Sequence, residues 1–535
     1  MRRLRENPWI SVLVICLGFF MIMLDTTIVY VATPSILSGL HTSLDQVLWV
    51  FNGYLLAYAV LLITAGRLGD IYGPRNLFGI GLAIFTLASA ASGFSQDSTQ
   101  LIAARVVQGV GGALLAPQSL AMLTLLFPPE RRGAALGVWG GVVGLSTAAG
   151  PTLGGLIITY ANWPWIFFVN VPVGVIALIA TFTVLPDLRP GRSHRLDVPG
   201  VLLASAGLLA IVYALIEGQR YDWGTVVGFV TIPEIIGVGV VLLLAFLAFE
   251  SRQEEPLIPV RLFRNRNFSL MSWTGAAMAF GMQGIFIPLS IYTQSVLGMT
   301  ALLSGLTFAP MSLTSAGIAP AAGRLADRLG GRYLVMTGLA LFAGGAALTV
   351  LVAGTSSTWL TFLGPLIVAG AGLGLIFAPM TTVAMHDITP QMAGAASSVL
   401  NTTRQLGAVI GSAVVGAVLQ NQLATAFRAR AVIDSAELPT TFRQQFVDGF
   451  AAAARSGFQV GRGQTGGAQP PAGLPAQAVA EVQRLVHDVF VNGYVAAMRP
   501  TVMVAVVALL IASLSCLAVV NRVRTGAVES EQIAA

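Results

Sequence analysis

Gly66-Arg67-Leu68-Gly69-Asp70-Ile71-Tyr72-Gly73-Pro74-Arg75 sits between two long apolar runs, and the chain returns to it later. Gly323-Arg324-Leu325-Ala326-Asp327-Arg328-Leu329-Gly330-Gly331-Arg332 matches it at six of ten positions, at a constant offset of 257. Charges this dense need water, so each stretch reads as a short glycine-rich hairpin just outside a membrane. A stretch repeated at that distance reads as two related halves.

The composition agrees. The 535 residues are 55% hydrophobic and 10% charged, where soluble chains carry about 25% charged residues. Apolar stretches of about 18 residues or more recur from end to end, each long enough to cross a bilayer as a helix. The period-two alternation of a membrane barrel is absent. The fold class expected is an all-α polytopic membrane protein. All 29 basic residues are Arg and the net charge is +6. They gather in loops, so nucleic acid is not an expected partner. Cys16 and Cys516 lie in apolar runs at opposite ends of the chain and read as packing residues. His41, His194, His386 and His487 show no metal-ligand spacing. No metal and no cofactor is expected.

Met1 to Pro8 carries three Arg before an apolar run that reaches about Pro34. That run is longer than the roughly 7–15 residues of a signal-peptide core, so it reads as an uncleaved first span. Fourteen spans are counted in all. With the N-terminus inside, the inner segments hold 19 Arg and the short outer loops hold one, Arg220. This bias orients the chain with both termini in the cytoplasm of a bacterial cell membrane. The long outer segment 421–495 carries six Arg, a Gly/Pro/Gln-rich middle, and flanks at about 441–455 and 475–495 that read as helices continuing the last two spans.

Each copy of the repeated stretch follows the second span of a six-span set. Spans 1–6 occupy residues 1–186 and spans 9–14 occupy 268–535. A linker at 187–267 carries two further spans without counterparts. Gly112, Ala116 and Pro117 correspond to Gly374, Ala378 and Pro379 at an offset of 262. Both hairpins fall on the same side, which gives the halves parallel topology, the arrangement of a rocker-type secondary transporter.

The motifs carry a resemblance over nearly the whole chain. Gly66 to Arg75, Leu101 to Gly112 around Arg105, Gly137 to Gly155, and Leu24 to Pro34 together resemble the major facilitator superfamily, in its branch of 14-helix drug:proton antiporters. The resemblance implies two six-helix bundles with two inserted helices, proton-coupled efflux of lipophilic or cationic compounds, and the proton as coupling ion. It implies gating roles for Gly66, Asp70, Gly73, Arg75 and Asp327 in the hairpins, and for Gly150, Pro151 and Gly154 in the antiporter signature. Pro74 departs from the pattern, where a basic residue is usual. Small residues and Gly-Pro also serve close packing and bending.

Asp25 is the one carboxylate placed deep in a span. Protonation coupled to transport is one reading, and a fixed partner for an Arg is the other. For Arg105, a charge within a span, the resemblance implies a role in proton coupling, and the other reading is half of a structural pair, with Asp70 as a candidate partner. Tyr30, Asn52, Tyr58, Gln108, Gln283, Tyr292, Phe377, Met380, Asn401 and Arg404 are candidate lining residues of a central cavity. No Gly-Lys-Ser/Thr ending follows the glycines at 109–112, so ATP-driven transport is not expected. A membrane enzyme would show an acid/base or metal cluster, which is missing from the sequence. The remaining alternative is an exporter or flippase of a lipid or of a self-made metabolite. The partners expected are small lipophilic or cationic molecules and membrane lipids, and the transporter is expected to be a monomer.

Overall fold

A computed structural model describes residues 8–127, 129–187, 197–218, 220–253, 260–388, 392–456 and 476–520. Some side chains within these ranges, those of Arg67, Asp70 and Asp327 included, are outside the description. The long helices are α1 (Pro8–Gly39), α2 (Leu44–Tyr72), α3 (Pro74–Gly93), α4 (Ser98–Leu126), α5 (Pro129–Tyr160), α6 (Asn170–Val184), α7 (Val198–Glu217) and α8 (Ile232–Glu250). They continue as α9 (Arg266–Ile291), α10 (Ala301–Leu329), α11 (Arg332–Leu351), α12 (Leu363–Met385), α13 (Ala393–Asp434) and α14 (Ala476–Ser515). Among the described residues, 13 helices are long and apolar enough to cross a membrane. The fourteenth of the series is α5, with 32 residues, half of whose side chains are not described. Hydrocarbon offers a backbone no hydrogen bonds, so each span closes its own as a helix.

Helix packing repeats between the halves. In the first bundle α1 packs on α5 and α6, and α4 on α2 and α3; in the second α9 packs on α13 and α14, and α12 on α10 and α11. Gly112 of α4 lies against Tyr58 of α2, and Gly374 of α12 against Ser315 of α10. These positions are related by the same two offsets that the sequence shows. The bundles meet along two seams, α2 with α13 and α5 with α10. The inserted helices α7 and α8 pack on each other, and α7 also lies on both helices of the α2–α13 seam. Trp49 Nε1 of α2 donates to Glu217 Oε1 of α7 at 3.1 Å.

The repeated stretch is a correction to the expected hairpin. Residues 66–72 are the last two turns of α2, and residues 323–329 end α10. Each reversal rests on one residue. Gly73 (φ +87°) and Gly330 (φ +81°) hold the positive φ that glycine tolerates. Their amides donate to Gly69 O at 2.9 Å and Ala326 O at 3.0 Å. Pro74 then opens α3 at a position where a backbone N–H is not needed. Gly69, within the helix, leaves a bare face for the Gln118 side chain of α4, which donates to Ala65 O at 2.7 Å.

We call the face from which α1 starts the near face, and the opposite one the far face. The 42 residues of α13 and 40 of α14 run well past a bilayer on the far side. The flank at 475–495 continues α14, as its pattern predicts. The flank at 441–455 is instead a separate helix, Thr440–Ser456, because the chain breaks after Asp434. It packs on the α13 extension through Phe427, Phe446, Phe450 and Phe490. The glycine- and proline-rich middle of the segment lies outside the described residues.

Candidate functional site

Five helices of the first bundle converge on one carboxylate. Asp25 of α1 is fully buried, as are Arg105 and Gln108 of α4, Asn170 of α6 and Ser89 of α3. Arg105 Nη1 forms an ion pair with Asp25 Oδ2 and also donates to Gln108 Oε1 at 2.7 Å. Gln108 Nε2 donates to Asp25 Oδ1 at 2.9 Å, and Asn170 Nδ2 donates to the same oxygen at 3.2 Å and to Ser89 Oγ at 3.2 Å. From α2, the Val50 carbonyl accepts from Arg105 Nε at 3.4 Å, and the Tyr54 ring lies 4.2 Å beneath the guanidinium. The partner of Arg105 is therefore Asp25. The alternative partner, Asp70, ends α2 at the near face, whereas Arg105 lies seven residues from the far end of α4.

A carboxylate in such a place is stable as an ion only beside its guanidinium. Adding a proton to Asp25 removes one charge of the pair and leaves the other buried and uncompensated.

Five residues beyond Asp25, Tyr30 crosses to the other bundle. Its hydroxyl donates to Gln283 Oε1 of α9, and its ring lies between Phe51 (5.2 Å) and Phe286 (5.3 Å). Ser290 Oγ donates to Tyr30 O at 2.6 Å, and Gln294 Nε2 to Val31 O at 2.9 Å. On the α2–α13 seam Ser412 Oγ donates to Asn52 Oδ1 at 2.5 Å, and Gly416 receives Leu48. On the α5–α10 seam the backbones themselves touch. Gly155 faces the Ala301 carbonyl, Gly305 faces the Pro151 carbonyl, and Leu302 N donates to Thr159 Oγ1 at 3.0 Å. Gly150 and Gly154 receive Thr27 and Ile28 of α1 instead. The antiporter signature is thus a two-sided surface, one side on α1 and the other on the second bundle. These bridging contacts lie in the far half of the bundle. Toward the near end of α10, a side chain added at Gly317 would meet nothing within 4 Å.

The other lining candidates divide. Asn52 lies on the α2–α13 seam, as does Tyr58, whose hydroxyl meets Gln405. Arg404 donates from Nη2 to Asn401 Oδ1 at 3.0 Å, and its guanidinium lies 5.3 Å from the centre of the Phe377 ring. Gln108 is turned away from the second bundle, to Asp25. Tyr292 and Met380 stay inside the second bundle, Tyr292 donating to Gly354 O at 2.5 Å and Met380 lying over Gly275. Both are drawn inward by helix rotation, which spacing along the chain does not fix. In the hairpins Gly66 packs near Pro117, and Arg75 reaches Asp187 Oδ2 at 3.6 Å, within its own bundle. Asp70 and Asp327 have side chains outside the description. Sequence reading missed Asn170, Ser89, Tyr54, Ser290, Gln294 and Ser412. Asn170, a lone amide inside an apolar run, was the one with a visible signal.

Two helical bundles in parallel repeat, meeting at two seams and holding a buried charge pair, define a membrane transporter rather than an enzyme. The chain belongs to the Major Facilitator Superfamily, whose pattern it matches over residues 15–412. It is 35% identical over 519 residues to the tetracenomycin C resistance and export protein of Streptomyces glaucescens, covering 95% of this chain and 92% of that one. It is 42% identical over 423 residues to an MFS-type transporter of Mycobacterium tuberculosis, covering 78% and 72%. A puromycin resistance protein of Streptomyces alboniger is 37% identical over 414 residues, covering 77% and 81%. Among solved structures, a bacterial homologue of the human lysosomal transporter Spinster superposes with a TM-score of 0.60 at 17% identity, covering 97% and 98%. The fold is therefore that of this superfamily, and the sequence relatives place the chain in its drug-efflux branch.

Proposed function

We propose that the chain exports lipophilic compounds by exchange for protons, with Asp25 as the proton-binding group. The observation that carries this reading is the buried Asp25–Arg105 pair, set on the same helix as Tyr30, which bridges the bundles. Protonation would free Arg105 from its partner and loosen the packing of α1 against α4. That change would reach the far-half bridges through Tyr30, so proton binding and bundle rocking would be linked. The bias of Arg toward one side supports a cytoplasmic near face in a cell membrane. With the bridges concentrated in the far half, the conformation described would open inward. One chain supplies both bundles, which supports a monomer.

The test is efflux of ethidium and of the uncharged dye Nile red from vesicles, with and without an imposed pH gradient. Wild type is compared with Asp25→Asn at matched protein density. Gradient-driven efflux of either dye that Asp25→Asn loses supports the reading. Efflux that Asp25→Asn keeps would move the proton site elsewhere. A wild type that extrudes neither dye favours a second reading, export of a lipid or of a self-made metabolite or antibiotic; the Streptomyces glaucescens relative is a tetracenomycin C resistance and export protein.

A further inference from the structure

Arg404 is a second charge inside the membrane, and it is built unlike Arg105. It lies 11 residues into α13, about 16 Å along the axis from the near end of that helix. Its described polar partner is the neutral Asn401 amide, and its flat face lies on Phe377. Across the seam, Tyr58 of α2 is a titratable neighbour of Arg404. No ion pair to Arg404 occurs among the described residues.

The rest of the seam does not offset this charge. Asp25 is the one carboxylate deep in a span, and Arg105 already neutralises it. Arg499, the remaining span arginine, turns to the far-side loop and donates to Ala353 O at 3.1 Å. Among the described residues, the surface between the bundles therefore carries one net positive charge. A cation held this way in low dielectric is costly unless a partner arrives from outside the chain. Arg404 is half-buried, and Phe377 beside it is 37% exposed. A guanidinium next to an open aromatic face offers a fork for a planar anion and a surface for a ring.

Resting on the exporter reading above, we propose that Arg404 is the anion-recognising group of the transport seam. The substrates favoured are amphipathic molecules that join an aromatic or aliphatic body to a carboxylate, phenolate or sulfonate. The anion pairs with the Arg404 guanidinium, and the apolar body lies against Phe377 and Tyr58. Lipophilic cations, included in the expectation from sequence, bind less well for the same reason.

The test is equilibrium binding to the full-length protein in nanodiscs, corrected with empty nanodiscs. The probes are dansyl-phenylalanine, with one free carboxylate, and its methyl ester, with none. The acid is expected to bind wild type about tenfold more tightly than the ester, the scale of a hydrogen bond to a charged group. Arg404→Gln is expected to remove that preference and leave the ester affinity unchanged, while Arg404→Lys retains part of it. Unchanged ester binding reports that the variant is folded. Equal binding of acid and ester to wild type overturns the inference, as does a preference that survives in Arg404→Gln or binding of neither probe. If Arg404→Gln does not fold, the wild-type ratio decides alone. Dye efflux on the same preparations separates the two readings, since intact efflux without acid preference sinks only this one.

Discussion

Tyr30 of the first bundle and Gln283 of the second share a hydrogen bond between two buried side chains 253 positions apart in sequence. Single side-chain hydrogen bonds inside membranes are worth about 0.6 kcal/mol. Tyr30→Phe removes the bond and keeps the ring stack. The far-closed population should fall by about threefold relative to the far-open one. Spin labels on Tyr160 and Trp359, at the far ends of the two bundles, would report the change as a growing long-distance peak. An unaltered distance distribution would remove Tyr30 from the gate.

The α5–α10 seam gives a larger effect. Any Cβ at Gly305 runs into the Pro151 carbonyl; the backbone fixes where a Cβ sits and the carbonyl is itself backbone, so neither can turn aside. Gly305→Val should prevent far-side closure and abolish transport. The same label pair should then show a single long distance. Gly317→Val, where the added side chain meets nothing, should transport normally and serves as the control.

Gly73 and Gly330 make a matched pair. Each holds a positive φ with an extended ψ at the end of a helix, and a side chain there costs about 1–3 kcal/mol. Gly73→Ala and Gly330→Ala should destabilise the protein by similar amounts in reversible unfolding by SDS. The double variant should show their sum to within about 0.5 kcal/mol, because the sites lie in different bundles. Strong non-additivity would mean the two turns communicate.

Asn170 should matter although it carries no charge. Asn170→Leu takes one donor from a buried carboxylate oxygen and one from Ser89 Oγ, which keeps its bond to Phe167 O, at a cost of about 1–3 kcal/mol. Gradient-driven efflux should slow, and unfolding should come at lower SDS. Ser89→Ala, one step farther out, should do less of both. Equal effects from the two would contradict a network centred on Asp25.

The spacing of apolar runs marks helices well because hydrocarbon leaves the backbone no other choice, and the repeat places Gly73 and Gly330 in equivalent turns. Spacing along a helix says little about rotation around it. Gln108 therefore read as cavity-lining when it points to Asp25, and Tyr292 and Met380 read outward when they point in. The partner of Arg105 was within reach of a depth argument. Asp70 ends its helix at the near face, and Arg105 sits close to the far end of its own. The hairpin read as a loop because glycine and charge usually mean one. Here Gly69 lies inside the helix, and the position is glycine for a reason only a neighbour supplies, the Gln118 side chain lying on its bare face. Ser412, Ser290 and Gln294 gave no sign, since a single hydroxyl or amide in an apolar helix is as often bonded to its own backbone.

The long extensions of α13 and α14 turn the second bundle into a lever. At 1.5 Å per residue, α13 alone is about 63 Å long, roughly twice the hydrocarbon thickness. Its far portion is braced by the helix Thr440–Ser456 through an aromatic cluster and by Arg484 bonded to Glu437 at 2.7 Å. A braced arm does not bend where it leaves the membrane. A tilt of about 10° in the bundle would swing the tip by about 5 Å over the protruding length. A rigid binder clasping that tip would then hold the swing still and report on the transport cycle from outside the bilayer, without touching the seams at all.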